Sequence, residues 1–177
     1  LAEFEASFRL HAAIAREAGP YKISIHSGSD KFTAFPVMGR LSGGLLHEKT
    51  AGTSYLEALR VVARRDPAFF REVLDFAKAR YPEDRASYHV QAEVANLPPS
   101  EKIPDGKLED LLSNFDGRQI LHVTYGSVLM TRKDGRPLFK DRLLDLLVEH
   151  EEEYAEVIEA HFLKHIRLLG MDVKKGV

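Results

Sequence analysis

Three short polar segments contain the side chains that could do chemistry in this sequence. They are His26–Lys31 (H-S-G-S-D-K), Lys49–Ser54 (K-T-A-G-T-S) and Tyr125–Ser127 (Y-G-S). Each combines hydroxyl groups with small residues, and the first two also contain charged side chains. Such mixtures suit the binding of a polar, hydroxylated ligand and the transfer of protons to or from it.

The first segment offers a metal ligand and a proton-transfer group. A neutral imidazole is a directional metal ligand, so His26 could hold a divalent ion. Asp30 could act as a general base or a second ligand, and Lys31 could neutralise a carboxylate or an enolate. The small residues between them let backbone N–H groups approach a ligand; these are Ser27, Gly28 and Ser29. The alternative is a hydrogen-bonded histidine at a strand end, followed by an ordinary polar turn.

The second segment brings a cation and hydroxyl groups to the start of a predicted helix. The free N–H groups and the dipole of a helix N-terminus attract carboxylate or phosphate, and Lys49 adds positive charge. Thr50 and Thr53 supply hydroxyl groups for the same ligand. Alternatively, Ser54 and Glu57 form a reciprocal capping box and Lys49 is solvated. Both can hold, since the box uses neither Lys49 nor Thr53.

Histidines further along the chain are weaker candidates. The predicted strand Gln119–Tyr125 contains His122, for which we favour a hydrogen-bonded core position over a metal ligand. Tyr125 either donates its hydroxyl to a substrate or packs. His161 and His165 have the i, i+4 spacing that can chelate zinc. Because the adjacent glutamate of the H-E-x-x-H pattern is missing, we expect a solvated or interfacial helix face there.

The elements that must position these segments alternate between strands and helices. Alternating or β-rich patterns predict strands at Tyr21–His26, Leu45–Thr50 and Gln119–Tyr125. Helical periodicity separates them, which predicts an α/β fold of parallel strands with helical crossovers. Loops that follow parallel strands gather at the carboxyl edge of the sheet, so we expect the three polar segments to form one composite site.

Local signals mark the ends of the helices. Asp66-Pro67 predicts an N-cap followed by proline at the first helical position, and Tyr81-Pro82 is expected to close that helix. Asp116-Gly117 and Asp134-Gly135 predict turns. Residues 137–169 are predicted to be helical, as two helices or one bent helix.

The composition excludes several classes of protein. The chain has 177 residues, 44% of them hydrophobic, which is enough for one domain with its own core. A net charge of -2 argues against a protein that mainly binds nucleic acid or an anionic membrane, and no apolar run approaches the ~18 residues of a membrane span. Without cysteine, disulfides and thiolate chemistry are excluded. We therefore expect a soluble globular domain.

Three longer strings resemble the tagaturonate epimerases of bacterial hexuronate catabolism. They are Tyr21–Phe32 (Y-K-I-S-I-H-S-G-S-D-K-F), Lys49–Arg60 (K-T-A-G-T-S-Y-L-E-A-L-R) and Arg118–Gly126 (R-Q-I-L-H-V-T-Y-G). The resemblance implies a longer (β/α)8-barrel enzyme, of which this chain would contain about three βα units. Helical periodicity that begins at Leu1 without a cap or an initiator Met agrees with that. Residues 1–177 would then be a single α/β domain or the C-terminal portion of a longer barrel.

The resemblance also implies a cofactor and roles for the site residues. The His26 loop is similar to the strand-end loop of class II, zinc-dependent ketose aldolases, in which the histidine is a metal ligand. His26 would then bind a divalent ion (zinc, manganese or nickel). Asp30 and Lys49, singled out above from their chemistry, are the expected catalytic groups. The pair Asp30-Lys31 departs from the aldolase loop and suits a non-phosphorylated sugar acid. Ser27, Gly28 and Ser29 would line the sugar acid or ketose. From the polar segments themselves we also expect substrate contacts from Lys31, Thr50, Thr53 and Tyr125.

Such a substrate leaves two chemical routes for inversion at carbon 4. The C4 proton is not adjacent to the C2 carbonyl, so simple enolisation does not reach it. The enzyme either cleaves and re-forms the C3–C4 bond by a retro-aldol step, which the aldolase-like loop favours, or abstracts the C4 proton. The alternatives for the whole protein are a class II-like ketose aldolase and a non-catalytic barrel fragment that needs a partner. A cytoplasmic location and either a homo-oligomer or a missing N-terminal portion are also expected.

Overall fold

The computed structural model describes residues 1–26, 31–50 and 52–171. Two compact units are present: the strand unit, Leu1–Ala51 with Glu159–Val177, and the helical unit, Gly52–Ile158. The strand unit contains α1 (Ala2–Glu17), β1 (Ile23–His26), α2 (Phe35–Ser42) and β2 (Leu46–Lys49). The helical unit contains α3 (Thr53–Arg65), α4 (Pro67–Asp84), α5 (Phe115–Val123), α6 (Tyr125–Met130), β3 (Arg132–Lys133), β4 (Arg136–Pro137) and α7 (Lys140–Glu149).

Two further features complete the element order. Helix α8 (Glu151–Leu168) begins in the helical unit, and its residues from Glu159 onward belong to the strand unit. The chain between α4 and α5 contains single 3-10 turns at Arg85–Ser87, Val94–Asn96, Ser100–Lys102, Asp105–Lys107 and Glu109–Leu112.

The strand unit is built on a parallel pair of strands joined by a helical crossover. Ile23 pairs with Leu46 and His26 pairs with Lys49, with α2 between the strands in sequence. Burial alternates along both strands, so one face packs on helices and the other is exposed. The packed face meets a core centred on Phe8, Phe35 and Met38. The predicted α/β pattern with a parallel crossover is confirmed for this pair.

The helical unit has the larger core and a network of ion pairs across its surface. Residues that are fully buried there include Leu56, Leu59, Phe70, Leu74, Ile120 and Leu121. Glu109 accepts hydrogen bonds from Arg60 and Arg64, and Glu153 accepts from Arg64 and Arg65. Because these carboxylates belong to the last 3-10 turn and to α8, the arginines of α3 fasten both elements to it.

The third predicted strand is wrong, because the segment is helical. The side chain of Asn114 accepts the backbone N–H of Gly117 at 2.9 Å and caps α5. Ile120 and Leu121 are both fully buried, although they are adjacent in sequence. A strand with one buried face would bury only one of them, whereas a helix with a wide apolar face buries both. Gly117 is therefore part of the first helical turn and not of the predicted Asp116-Gly117 turn.

Of the other local signals, some are confirmed and one is wrong. Asp66 caps α4 by accepting the N–H of Phe69 at 2.9 Å, and Pro67 follows it, as predicted. Helix α4 nevertheless continues through Pro82 to its end at Asp84. The Asp134-Gly135 turn is confirmed, since it joins the antiparallel strands β3 and β4.

The predicted capping box at the start of α3 is wrong. Gly52, with a φ of 71°, is the N-cap residue, and the helix begins at Thr53, one residue before Ser54. The carboxylate of Glu57 is bound by the Arg60 side chain at 2.9 Å. The prediction of two helices in residues 137–169 is confirmed by α7 and α8. In the described part of the chain, no helix has both the length and the apolarity needed to cross a bilayer.

Candidate active site

The exposed face of the β1–β2 pair gathers four polar side chains. Ser24 and His26 lie on this face of β1, and His47 and Lys49 lie on the same face of β2. Ser24 is the register partner of His47, and His26 is the partner of Lys49. Side chains of directly paired residues stand side by side on a sheet, so the four groups form one polar patch. We call Ser24, His26, His47 and Lys49 the strand-face patch.

Local contacts orient two members of this patch. The Ser24 hydroxyl and Nδ1 of His47 are 2.9 Å apart, a hydrogen bond that fixes the plane of the imidazole. The other ring nitrogen, Nε2, is therefore the atom with which His47 can meet a ligand. The Lys31 ammonium donates to the backbone carbonyl of His26, which ties the end of the loop back to the end of β1.

Several predicted site residues lie outside the described residues. Asp30 is one of them, and the three small residues before it are the others, namely Ser27, Gly28 and Ser29. Their predicted roles stay predictions. Thr50 is described and half-buried immediately after β2.

Thr53 and Tyr125 belong to the helical unit, whereas the strand-face patch belongs to the strand unit. Thr53 is buried as the first residue of α3. Tyr125 is not at the end of a strand, as predicted, but is the first residue of α6. It is half-buried, with its ring centroid 6.3 Å from that of Tyr55. Packing is thus one observed role of Tyr125, and its predicted contact with substrate stays a prediction.

Tyr125 also lines an open groove of the helical unit. The groove has a volume of about 410 Å³, and its lining includes Glu83, Asp84, Tyr88 and Ser127. His122 lies close to the start of α3, since a Cβ at Gly52 would lie 2.8 Å from its Nε2. His122 is half-buried on a helix, so the expected position inside a strand is wrong.

The packed face of β2 carries a second polar group. Glu48 points away from the strand-face patch, and its Oε1 lies 2.6 Å from Nδ1 of His165 on α8. Nε2 of His165 lies 3.1 Å from Nε2 of His161. Both histidines are buried, so the prediction of a solvated or interfacial face is wrong. Glu48 itself had no signal in the sequence beyond its place in an alternating strand.

Sequence reasoning also passed over His47. The signal was available, because His47 and Lys49 are two residues apart on a predicted strand and must share a face. In the described ranges, 1–26, 31–50 and 52–171, no three His, Asp or Glu side chains converge on one metal position. The donor set of the strand-face patch, two imidazoles, nonetheless has the chemistry of a partial site for a divalent ion.

The comparisons with known proteins agree with one another. The sequence profile of a tagaturonate epimerase family matches residues 1–169. A tagaturonate/fructuronate epimerase from Thermotoga maritima is 45% identical over 169 residues, which are 96% of this chain and 34% of that protein. The native crystal structure of the fructuronate-tagaturonate epimerase from Cohnella laeviribosi matches with a TM-score of 0.91 and 44% identity over 96% of this chain and 34% of that one.

A second structure of the Cohnella laeviribosi enzyme, in complex with two glycerol molecules, matches with a TM-score of 0.92 and 42% identity. It covers 97% of this chain and 35% of its own. The chain therefore spans about a third of the length of the relatives it matches.

Proposed function

Because the chain belongs to the tagaturonate epimerase family, we propose that it forms part of an isomerase that interconverts tagaturonate and fructuronate by inversion at carbon 4. The observation that carries the proposal is the strand-face patch, a set of basic and hydroxyl groups on one face of a parallel strand pair. In our proposal β1 and β2 are neighbouring strands of a (β/α)8 barrel, and their exposed face lines its interior. The rest of the enzyme, about two thirds by comparison with the relatives, would supply the other strands.

Lys49 is the group that we assign to the anionic part of the substrate. It stands at the carboxyl end of β2, where barrel enzymes place their chemistry, and its ammonium suits a carboxylate or a developing enolate oxygen. Lys31 is held at the end of β1 by its bond to the His26 carbonyl and adds positive charge there. Thr50, Thr53 and Tyr125 keep their proposed role as hydroxyl donors to the sugar.

His26 and His47 are the residues of this chain that would hold a divalent ion. Their imidazoles share the exposed face, and Ser24 fixes the ring of His47 through Nδ1, so Nε2 is the atom of His47 that would bind the ion. Further ligands would come from residues outside the described ones. A bound divalent ion, such as zinc, manganese or nickel, would supply Lewis acidity for the polarisation of substrate oxygens.

Both routes to inversion at carbon 4 also require groups that transfer protons. In the retro-aldol route a base takes the proton of the C4 hydroxyl, and the C3–C4 bond breaks to leave an aldehyde at C4 and an enediolate at C2 and C3. After the aldehyde has rotated, the enediolate adds to its other face, the C3–C4 bond re-forms, and the proton returns to the C4 oxygen. In the proton-abstraction route the carbonyl first migrates to the carbon next to C4, the base then removes the C4 proton to leave an enediolate, and an acid from the rest of the enzyme returns a proton to the opposite face. Asp30 is the proposed base in both routes. The resemblance of the His26 loop to that of ketose aldolases favours the first route.

A chimeric enzyme tests the proposal. Residues 1–169 of this chain would replace the matching 169-residue segment of the Thermotoga maritima relative, which is 45% identical to them. We expect the chimera to convert tagaturonate to fructuronate, with activity that is lost on chelation and restored by a divalent ion. Three-carbon products would instead identify an aldolase. A folded chimera without epimerase activity would contradict the proposal, and the unaltered relative is the matched control.

Metal content provides a separate readout for His26. The chimera and its His26→Ala variant would be dialysed and their metal measured by elemental analysis. We expect the metal bound by the variant to fall to a small fraction of that bound by the parent chimera. Equal stoichiometry in the two proteins would remove His26 from the set of ligands.

A further inference from the structure

The outer surface of α7 combines acidic and apolar side chains. Leu144 and Val148, which are 48% and 76% exposed, are one helical turn apart. Asp141, Asp145 and Glu149 repeat at the same spacing on the same side of the helix, and all three are exposed. Within residues 1–26, 31–50 and 52–171, none of these carboxylates forms an ion pair. We call these five residues the acidic face.

The β3–β4 hairpin, which two residues separate from α7, is basic. Arg132, Lys133 and Arg136 are exposed, and in the part of the chain that the structure describes none of them forms an ion pair. Lys133 and Arg136 are register partners, so their side chains stand opposite each other. Arg132 donates a hydrogen bond to the carbonyl of Gly135 at 2.9 Å, which braces the turn. We call Arg132, Lys133 and Arg136 the basic hairpin.

Each of these two surfaces holds like charges close together. Asp145 and Glu149 repel each other at the i, i+4 spacing, and Glu149 stands at the C-terminal end of α7, where the helix dipole disfavours a negative charge. Lys133 and Arg136 repel each other across the hairpin, because like charges directly opposite on paired strands are destabilising. A partner of opposite charge would relieve both repulsions, which favours a contact between the two surfaces.

We propose that two copies of this chain associate through these surfaces, with the basic hairpin of each copy on the acidic face of the other. The hairpin and the helix are adjacent in the chain, so a single twofold axis makes both contacts at once. The association covers Leu144 and Val148, and Met130, which is 72% exposed at the end of α6, is available beside the hairpin to pack on them. Assembly through these surfaces involves no residue of the proposed catalytic site, so it is independent of the proposed function.

Two charge reversals test the pairing. In the hairpin variant, Lys133→Glu and Arg136→Glu make the hairpin acidic. In the helix variant, Asp145→Lys and Glu149→Lys make the exposed side of α7 basic. Each variant alone places like charges at both contacts of the twofold dimer, so we expect each to be monomeric at concentrations at which the parent is a dimer. In an equimolar mixture both contacts again join opposite charges, so we expect a heterodimer.

Sedimentation velocity of the 177-residue chain measures this association. We expect the dissociation constant of the parent dimer to rise at least about tenfold between about 0.05 and about 0.5 M salt, because salt screens exposed charges. At the lower salt, the hairpin variant should raise it at least about tenfold. The control, Lys22→Glu with Lys102→Glu, makes the same change in net charge at exposed lysines elsewhere. It should change the dissociation constant by less than about threefold, because charges outside the contact are screened.

Two results with the isolated chain would overturn the proposal. One is a parent that stays monomeric at about 0.5 mM and low salt. The other is a mixture of the two variants that associates no more tightly than either variant alone, although circular dichroism shows that both are folded.

The epimerase chimera distinguishes a second copy from the rest of the enzyme as the partner of the acidic face. We expect the same two variants to weaken self-association of the chimera and their mixture to restore it. If the isolated chain dimerises but the chimera and its variants have equal masses, the remaining two thirds or so of the enzyme cover the acidic face, and the proposal is wrong. Sedimentation does not depend on turnover, so a chimera without epimerase activity would refute the proposed function alone.

Discussion

Replacement of Gly117 by alanine measures how closely α5 approaches the turn before it. A Cβ added at Gly117 would lie 2.6 Å from the backbone oxygen of Leu111 and 3.1 Å from its Cβ. Both distances are shorter than ordinary van der Waals contact, and a backbone carbonyl has no rotamer by which to move away. Gly117 thus lies where α5 packs closely against the preceding 3-10 turn, a contact that only a residue without a side chain allows.

Gly117→Ala has two opposing effects on the free energy of unfolding. Alanine stabilises a helical position by about 1 kcal/mol relative to glycine. Overpacking of a tight site costs about 1 to 3 kcal/mol, and the backbone clash at 2.6 Å places this site in the upper part of that range. We expect a net loss of about 1 to 2 kcal/mol. For a unit of this size the midpoint of thermal unfolding would fall by roughly 5 to 10 °C.

Gly126 supplies the matched control. It also lies in a helix of the helical unit, and a Cβ there would meet nothing within 4 Å. Gly126→Ala should stabilise the unit by about 0.5 kcal/mol, because it reduces the freedom of the unfolded chain without a clash. Thermal and urea unfolding of the parent and both variants, monitored by circular dichroism, are the assays. A midpoint for Gly117→Ala equal to or above that of the parent would refute the tight contact.

Three further predictions concern the site, the isolated chain and acid stability. In the chimera, Lys49→Met should raise KM and lower kcat together, since an ammonium that pairs with a developing anion acts in both states; borohydride trapping of a covalent adduct at Lys49 would contradict this role and indicate a Schiff base. The 177-residue chain alone should show little or no epimerase activity on tagaturonate, because it spans about a third of its relatives, and robust metal-stimulated turnover would refute that. Hydrogen bonds from Arg64 and Arg60 lower the pKa of Glu109 from 4.5 to about 2, so its contribution to stability is present above pH 4.5 and is lost as the pH falls towards 2. Glu109→Gln should accordingly reduce the pH dependence of the urea midpoint between pH 4.5 and about 2. An unchanged pH dependence in this variant would exclude the ion pairs of Glu109 as its cause.

The first strand was predictable because one of its faces is buried and the other is exposed. Ile23 and Ile25 pack on the core while Ser24 and His26 do not, and the sequence shows this as alternating apolar and polar residues. The signal of β2 was weaker, because Leu46 is its one apolar residue. The N-cap at Asp66 was equally local, because the capping carboxylate and the N–H that it accepts are three residues apart.

The third predicted strand failed because its decisive interactions are not in its own pattern. Residues 119–125 contain β-branched and aromatic side chains that suit a strand. Helix α5 is favoured instead by the Asn114 cap and by the close approach of Gly117 to Leu111. The burial of both Ile120 and Leu121, which are adjacent in sequence, also favours a helix. Packing of this kind overrides a propensity of about 1 kcal/mol.

The buried contact of Glu48 with His165 shows the same limit for a site. The spacing of His161 and His165 is local and was read from the sequence, but Glu48, the partner of His165, lies 117 residues away along the chain. A charged residue at an alternate position of a short strand carries no sign of which group will face it. The strand-face patch was predicted in part for the opposite reason, since His26 and Lys49 owe their common face to strand geometry alone.

Strand alternation also makes the two faces of β2 depend on each other. A shift of one residue in the pairing of β2 would turn Glu48 to the exposed face and His47 and Lys49 towards the core. The contact of Glu48 with His165 is lost in that arrangement, and a lysine would be buried without a partner. The contact of Glu48 with His165 therefore disfavours the slipped register of β2. In β2 the packed position of Glu48 thus determines that His47 and Lys49 lie on the exposed face.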